Sequence, residues 1–228
     1  MKATSPINAV IFDFDGTLAK LNIDFPLMRQ AILDLIGSYA VPINGSNNLY
    51  VLEMINAAQK LISEKYPNKD EGFVKQAIKL ITRIEIEAAK KGELIGGTRD
   101  MLVELKKREI KAGVVTRNCQ AAVCTVFPDI FDYCNTVITR EMTRNVKPHP
   151  EHLLVALQSL GVAPESSSMV GDHPMDIKIG KQVGTLTIGV LTGYSTSDEL
   201  IRAGADIIID KAADIISLLP QAFFPPSE

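Results

Sequence analysis

The sequence predicts an α/β fold in which a doubly wound, Rossmann-like parallel sheet carries a small all-helical domain inserted after the first strand. Short apolar runs of strand length alternate with helical patterns in the C-terminal part of the chain, as in sheets covered by helices. Between about residues 24 and 91 the apolar residues instead recur at helical spacing. We therefore expect a core domain of residues 1–20 and 94–228 and a helical domain of residues 21–93.

The first strand is predicted at Ile7 to Phe14, an apolar run that stops at Asp15-Gly16-Thr17. A buried helix could be equally apolar, but this run is short and a glycine ends it. Both features favour a buried parallel strand.

The inserted segment shows three helical patterns and no strand pattern. A short one covers about 26–36, and two longer ones cover about 49–62 and 73–88. Pro67 and Asn68 separate the longer two, and Gly92 stands where a C-terminal helix cap is expected.

The rest of the chain alternates between helix and strand. Thr98 is placed to cap a helix that ends near Arg108, and Pro150 occupies the first turn of another. A third helix covers about 175–183, and strands are predicted at 110–116, 136–139, 168–170, 185–191 and 206–209. In such sheets ligands bind beyond the carboxyl ends of the strands, so the residues that follow each strand are the candidates for chemistry.

Composition excludes several classes of function. A net charge of −3 and a pI near 5.7 give no basic surface for nucleic acid. No apolar run approaches the roughly 20 residues that span a bilayer, and the first residues lack the order of a secretory signal. Three irregularly spaced cysteines predict free thiols, so we expect a cytoplasmic protein.

The first strand end carries two carboxylates. In extended chain Asp13 and Asp15 point to the same side, and at about 4 Å their repulsion would cost roughly 4 kcal/mol. That arrangement favours a cation or a proton between them, and Gly16 lets the main chain approach a ligand closely. A solvated acidic turn is the alternative interpretation.

Two further segments offer groups for phosphate. Thr116, Arg117 and Asn118 follow the second predicted strand and combine a hydroxyl, main-chain N–H groups and a guanidinium. Lys147 lies in an extended stretch just before a helix. Taken singly, the first segment could be an ordinary helix cap and the lysine a surface charge.

The fourth strand end carries Asp172, with Asp176 at the start of the next helix. Carboxylate oxygens suit Mg²⁺, although Asp172 alone could be a helix cap. The four strand ends should converge on one edge of one sheet. Four carboxylates around the single Lys147 would then leave an excess of negative charge that a divalent cation offsets.

These residues together resemble the four motifs of the haloacid dehalogenase superfamily over about residues 7–190. The matching positions are Asp13-x-Asp15-Gly16-Thr17, Thr116, Lys147, and Gly171-Asp172 with Asp176. The segment 189–195 is also similar to the phosphoglycolate phosphatase-like branch. Dehalogenases typically lack an aspartate at the place of Asp15, so phosphate is the expected substrate group.

The resemblance implies that Asp13 is the nucleophile and forms an aspartyl-phosphate. Asp15 would be the acid and base that protonates the leaving group and later activates water. Thr116 and Lys147 would hold the phosphoryl oxygens, together with the candidate phosphate contacts Gly16, Arg117 and Asn118.

The same resemblance implies a magnesium site. Asp13, Asp172 and the main-chain carbonyl of Asp15 would be its ligands, and Asp176 would orient the metal shell or Lys147.

The helical insert stands where this family places a mobile cap that selects the leaving group. Segments 20–23 and 93–97 would act as hinges, and Lys20 and Arg83 are candidate substrate contacts. The expected activity is hydrolysis of a small phosphorylated metabolite, with 2-phosphoglycolate as one candidate. A phosphomutase, a phosphonate-cleaving enzyme with a cap lysine and a non-catalytic phosphate-binding protein remain alternatives, and oligomeric state stays open.

Overall fold

The computed structural model describes residues 6–42 and 49–218 of the 228-residue chain. The chain divides into two compact units, a core unit of residues 1–21 and 92–228 and a helical unit of residues 22–91. The parts of the predicted domains at 1–5, 43–48 and 219–228 lie outside the described residues.

The core unit contains a six-stranded sheet in which every neighbouring pair is parallel. Its strands are β1 (Ala9–Phe12), β4 (Lys111–Val115), β5 (Thr136–Ile138), β6 (Ser167–Gly171), β7 (Leu186–Val190) and β8 (Ile207–Ile209), in the spatial order β5-β4-β1-β6-β7-β8. The order reverses beside β1, which confirms the predicted doubly wound α/β class.

Strand β1 lies at the centre because all four of its residues are apolar and fully buried. Its last residue, Phe12, pairs with Val114 of β4 and Val170 of β6, so these three strands end at nearly the same level. The residues that follow β1, β4 and β6 are thereby brought to one edge of the sheet.

The core unit also contains helices, several of which contact the strands of the sheet. These helices are α4 (Thr98–Lys107), α5 (Gln120–Val126), α6 (Ile130–Tyr133), α7 (Glu151–Leu160), α8 (Pro174–Val183), α9 (Ser197–Ala203) and α10 (Ile215–Leu218). Helix α7 contacts β4 and β5, and α8 contacts β6 and β7. One core cluster combines Ile11 and Met169 of the sheet with Leu153 of α7 and Ile179 of α8.

A small antiparallel sheet joins the two ends of the core unit that flank the helical unit. Strand β2 (Ala19–Lys20) pairs with β3 (Glu93–Leu94). The sequence analysis assigned both segments to connections, because two-residue strands are too short to show a periodic pattern.

The helical unit consists of α1 (Phe25–Ser38), α2 (Val51–Lys65) and α3 (Asp70–Ala89), each packed on the other two. Asp24 caps α1 by accepting a hydrogen bond from Leu27 N at 2.8 Å. In the chain as described, no helix has both the length and the apolar character needed to cross a membrane.

The predicted cap at Thr98 is wrong. Gly97 precedes α4 in a left-handed conformation with φ of 91°, and Thr98 is the first helical residue. The Thr98 hydroxyl instead donates to the carbonyl of Leu18 at 2.9 Å. Helices α5, α6 and α9 were not predicted, since each has seven residues or fewer.

Candidate active site

Asp13 lies directly beyond the end of β1. Its main-chain N–H still donates to Val170 of β6 at 2.8 Å, so strand pairing fixes its position. Its Oδ1 accepts a hydrogen bond from Phe14 N at 2.7 Å. The carboxylate is therefore held at the sheet edge with its side chain partly exposed.

The turn after Asp13 needs a glycine for two reasons. Gly16 has φ of 86°, and its N–H donates to Ala19 O at 2.8 Å to close the turn. A Cβ at Gly16 would lie 2.5 Å from Oδ2 of Asp172, so a side chain there would collide with the site.

The Asp15 side chain accepts a hydrogen bond from Leu21 N at 2.9 Å.

Lys147 lies between two of the carboxylates. Its ammonium is 2.7 Å from Asp13 Oδ1 and 2.7 Å from Asp176 Oδ1, and the residue is only 2% exposed. Burial alone would lower the pKa of Lys147, but the charges and hydrogen bonds of Asp13 and Asp176 outweigh it and raise the pKa. The lysine is therefore a buried cation.

Asp172 follows β6 and is also buried. The Thr17 hydroxyl donates to its Oδ1 at 3.0 Å, and Tyr194 N donates to its Oδ2 at 3.2 Å. Burial raises the pKa of Asp172 to about 8, and the negative charges of Asp13 and Asp176 add to the effect. The described protein groups therefore leave the charge of Asp172 poorly compensated.

Asp176 lies in the first turn of α8. Its Oδ1 accepts from Lys147 and its Oδ2 from His173 N at 3.2 Å, so both oxygens have protein partners. Burial raises the pKa of Asp176 to about 6, against the opposing effect of Lys147. Gly171 is necessary beside it, because a Cβ there would lie 2.3 Å from Asp176 Oδ2.

Asp13, Asp172 and Asp176 form a cluster whose ligand atoms all lie within 4.8 Å of one another. Lys147 pairs with Asp13 and Asp176, while burial and the negative charges of those two residues raise the pKa of Asp172. Hard oxygen donors with unbalanced negative charge fit a divalent cation such as Mg²⁺. The carboxylate of Asp15 is not part of this cluster.

The segment after β4 contacts this cluster through Lys147. Thr116 is buried, and its hydroxyl oxygen accepts from Asn118 N at 3.2 Å. The Arg117 guanidinium donates to the main-chain carbonyl of Lys147 and contacts Met175 Sδ at 3.5 Å. A phosphate-binding role for these three residues stays a prediction, and Arg117 has a structural contact that the sequence did not indicate.

The loop after β7 contributes to the site through contacts that its sequence did not predict. Thr192 donates its hydroxyl hydrogen to Gly16 O at 2.6 Å, and Tyr194 N binds Asp172. Between them, a Cβ at Gly193 would lie 1.8 Å from Asp172 Oδ2. The loop therefore holds both the first turn and Asp172. Its sequence was noted only as a family likeness, because spacing alone assigns it no chemistry.

Comparison with known proteins defines the class. A profile of haloacid dehalogenase-like hydrolases matches residues 10–190, and the chain therefore belongs to the haloacid dehalogenase-like hydrolase family.

Individual relatives cover nearly the whole chain. The pyrophosphatase PpaX of Bacillus cereus is 30% identical over 219 residues, which are 93% of this chain and 96% of that protein. The N-acetylmuramic acid 6-phosphate phosphatase of Pseudomonas putida is 28% identical over 221 residues, 95% of this chain and 97% of that protein. A solved structure of a proposed beta-phosphoglucomutase from Bacteroides vulgatus has a TM-score of 0.70 with 20% identity, covering 97% of this chain and 92% of its own. At that identity it supports the fold alone.

Proposed function

We propose that this protein is a magnesium-dependent phosphatase that transfers a phosphoryl group from a small phosphomonoester to Asp13 and then to water. The observation that carries the proposal is the position of the Lys147 ammonium, which lies 2.7 Å from the carboxylates of both Asp13 and Asp176, next to Asp172. A partly exposed carboxylate beside a buried cation is suited to attack an anionic phosphorus centre.

In the first step an Asp13 carboxylate oxygen attacks phosphorus, and the bond from phosphorus to the leaving oxygen breaks. Asp15 gives its proton to that oxygen. In the second step Asp15 takes a proton from water as the water oxygen attacks phosphorus. The bond from phosphorus to Asp13 then breaks, inorganic phosphate leaves and Asp13 is regenerated.

The equatorial phosphoryl oxygens carry the charge that develops during transfer. Lys147 would neutralise part of that charge, and Thr116 with the main-chain N–H groups beside Gly16 would donate hydrogen bonds to it. Arg117 would contribute mainly by holding the main chain of Lys147, given its contact with that carbonyl.

Asp13, Asp172 and the main-chain carbonyl of Asp15 would hold Mg²⁺. When bound, the ion would supply positive charge for the phosphoryl oxygens and for the three crowded carboxylates. Asp176 would orient Lys147 rather than bind the metal, because its Oδ1 lies 2.7 Å from the Lys147 ammonium, whereas the groups that donate to the two oxygens of Asp172 are uncharged.

The substrate class follows from the relatives, whose names refer to a pyrophosphatase and to a phosphatase of a sugar 6-phosphate. We assign the choice among small phosphorylated metabolites, including 2-phosphoglycolate, to the helical unit acting as a cap. A cytoplasmic location suits such metabolites, and Cys119, Cys124 and Cys134 are free thiols.

A phosphomutase is the second candidate, because Asp13 beside the Lys147 ammonium would serve phosphoryl transfer to a sugar as well as to water. The two activities share the aspartyl-phosphate and differ in its acceptor. Release of inorganic phosphate at the rate of substrate consumption indicates a phosphatase, whereas an isomeric sugar phosphate without phosphate release indicates a mutase.

The test is a steady-state assay of p-nitrophenyl phosphate and a panel of phosphorylated metabolites, with Mg²⁺ and with EDTA. We expect D13N to lose at least about 10³-fold in kcat, since it removes the nucleophile. D198N is the matched control, because Asp198 is an exposed residue of α9. Wild-type turnover by D13N would exclude this mechanism.

A further inference from the structure

His152 is a buried histidine that the proposed reaction does not use. It is the second residue of α7, and none of its surface is exposed. A buried imidazole needs partners for both nitrogens. Its Nδ1 accepts a hydrogen bond from the main-chain N–H of Lys147 at 3.1 Å, and its Nε2 lies 3.2 Å from the carbonyl oxygen of Ile138.

These two contacts fix the tautomer of the ring. A main-chain N–H can only donate and a carbonyl oxygen can only accept, so the proton is on Nε2 and the lone pair on Nδ1. Burial, and then the positive charge of Lys147, lower the pKa of His152 to about 3. The neutral ring that this tautomer requires is therefore the form present at neutral pH.

The ring connects Lys147 to the strand end that carries Thr116. The carbonyl oxygen of Ile138, at the end of β5, also accepts a hydrogen bond from Thr116 N at 3.0 Å. The carbonyl oxygen of Lys147 in turn accepts from the Arg117 guanidinium. Both main-chain polar groups of Lys147 are therefore held by side chains from other parts of the core unit.

This restraint matters because Lys147 lies in a turn, and its ammonium stands at the end of a flexible four-carbon stem. A displacement of about 1 Å in a reacting group can cost about 10²-fold in rate. We propose that His152 is a positioning residue, which fixes the main chain of Lys147 so that the ammonium stays between Asp13 and Asp176. The inference rests on the proposed function, which gives Lys147 a part in phosphoryl transfer.

Three variants distinguish the effect of the hydrogen bond between His152 and Lys147 from the effect of the volume of the ring. H152F keeps a ring and removes both hydrogen bonds. H152N offers an acceptor near the Nδ1 position and so retains the bond to Lys147, whereas H152Q offers a donor near the Nε2 position and retains the bond to Ile138. Their kcat and KM are measured with p-nitrophenyl phosphate and Mg²⁺, after circular dichroism has shown which variants fold.

We expect kcat to fall roughly 10- to 100-fold in H152F and H152Q, with KM changed by less than about threefold, and H152N to recover most of the loss. H149N is the matched control. His149 is exposed, and its Nδ1 accepts a hydrogen bond from the neighbouring Glu151 N at 3.2 Å, so the kcat of H149N should stay at the wild-type value.

Hydrogen exchange of the Lys147 amide, followed by NMR, gives a readout that needs no turnover. Exchange should be faster in H152F and H152Q and close to wild type in H152N. If the variants show this exchange pattern but the wild-type protein has no magnesium-dependent hydrolysis, the proposed function fails and the link between His152 and Lys147 is supported. If folded H152Q keeps wild-type kcat, or folded H152N loses as much kcat as H152Q, the positioning role is overturned. The H152N and H152Q pair decides the question even if H152F does not fold.

Discussion

The Lys147 ammonium lies 2.7 Å from the Asp13 carboxylate, although the two residues are far apart in the sequence. Lys147 is almost completely buried, whereas the side chain of Asp13 keeps 14% of its surface exposed. The exposed side of the pair is thus an anion and the buried side a cation. An incoming phosphoryl group would meet Asp13, the proposed nucleophile, before the ammonium of Lys147.

Replacing Lys147 with methionine tests this pair. K147M leaves the carboxylates of Asp13 and Asp176 without their cation, so we expect the free energy of unfolding without metal to fall by about 3 kcal/mol and kcat to fall at least about 100-fold. Urea unfolding and the steady-state assay measure the two effects. In K181M, which breaks the exposed pair of Lys181 with Asp206, the free energy should change by less than about 1 kcal/mol. Equal losses of the free energy of unfolding in K147M and K181M would contradict the role of Lys147 as the buried cation of the site.

The raised pKa of Asp172 predicts how metal and pH affect stability. Below about pH 4 the carboxyl of Asp172 is protonated in both the folded and the unfolded protein. Between about pH 4 and its folded pKa of about 8, only the folded protein keeps this proton. Without metal, wild type should therefore lose stability relative to D172N as pH rises through this window, by up to about 1.4 kcal/mol per pH unit. Thermal unfolding of both proteins measures the difference.

Magnesium should reverse that loss. Mg²⁺ binds the folded state, so it should raise the wild-type Tm, and more at pH 8 than at pH 5, where protons compete. D172N should respond weakly, because one carboxylate ligand is gone. A Tm of D172N that rises with Mg²⁺ as much as that of wild type would remove Asp172 from the metal site.

Gly193 should tolerate no side chain. In G193A the new Cβ would lie 1.8 Å from Asp172 Oδ2, so either the loop or the carboxylate must move. We expect Mg²⁺ affinity and kcat each to fall roughly 10- to 100-fold, as when a group that orients a metal ligand is lost. G72A is the control, because nothing lies within 4 Å of a Cβ at Gly72 and its φ is ordinary. Magnesium titration should show no change for G72A.

The lowered pKa of His152 predicts an acid-sensitive contribution to stability. Its folded pKa is about 3, below the ordinary value near 6.5, through burial and the charges of Lys147 and Arg117, while Ile138 O and Glu151 oppose the shift. The contribution of His152 to the free energy of unfolding is complete above about pH 6.5. It is lost as pH falls towards 3, by up to about 1.4 kcal/mol per pH unit, because the imidazole of the unfolded chain takes up a proton that the folded ring does not. Unfolding of wild type and H152N from pH 7 to pH 4.5 should show the two stabilities converging. A constant difference would indicate that the ring does not titrate on unfolding.

The sequence predicted the sheet because its strands are short apolar runs separated by glycine and helical patterns. It also brought Asp13, Asp172 and Asp176 together, because each follows a strand or begins a helix at the edge where parallel strands end. Those positions depend only on strand direction, which local patterns indicate well. Lys147 lies in a turn between β5 and α7 and was predicted from its place shortly before a helix.

The missed features depend on contacts between distant segments. Nothing local to Gly193 shows that Asp172 will occupy the space of its missing side chain, and nothing near His152 shows which main-chain groups its two nitrogens meet. Thr98 was misassigned because its hydroxyl binds Leu18 O, a partner 80 residues away. Such partners are known only once the chain has folded.

Ala19 pairs with Leu94 and Lys20 with Glu93, so the two segments that flank residues 22–91 lie side by side. Residues 22–91 are therefore an insertion between two paired strands of the core unit. The two ends of that insertion are already fastened together by main-chain hydrogen bonds that do not depend on what lies between them. A different module, or a short turn, could be spliced in at this point without disturbing the order of the six strands. Under the proposed function, in which residues 22–91 select the substrate, such an exchange would change the accepted substrate and leave Asp13, Lys147 and Asp172 at the edge of the sheet.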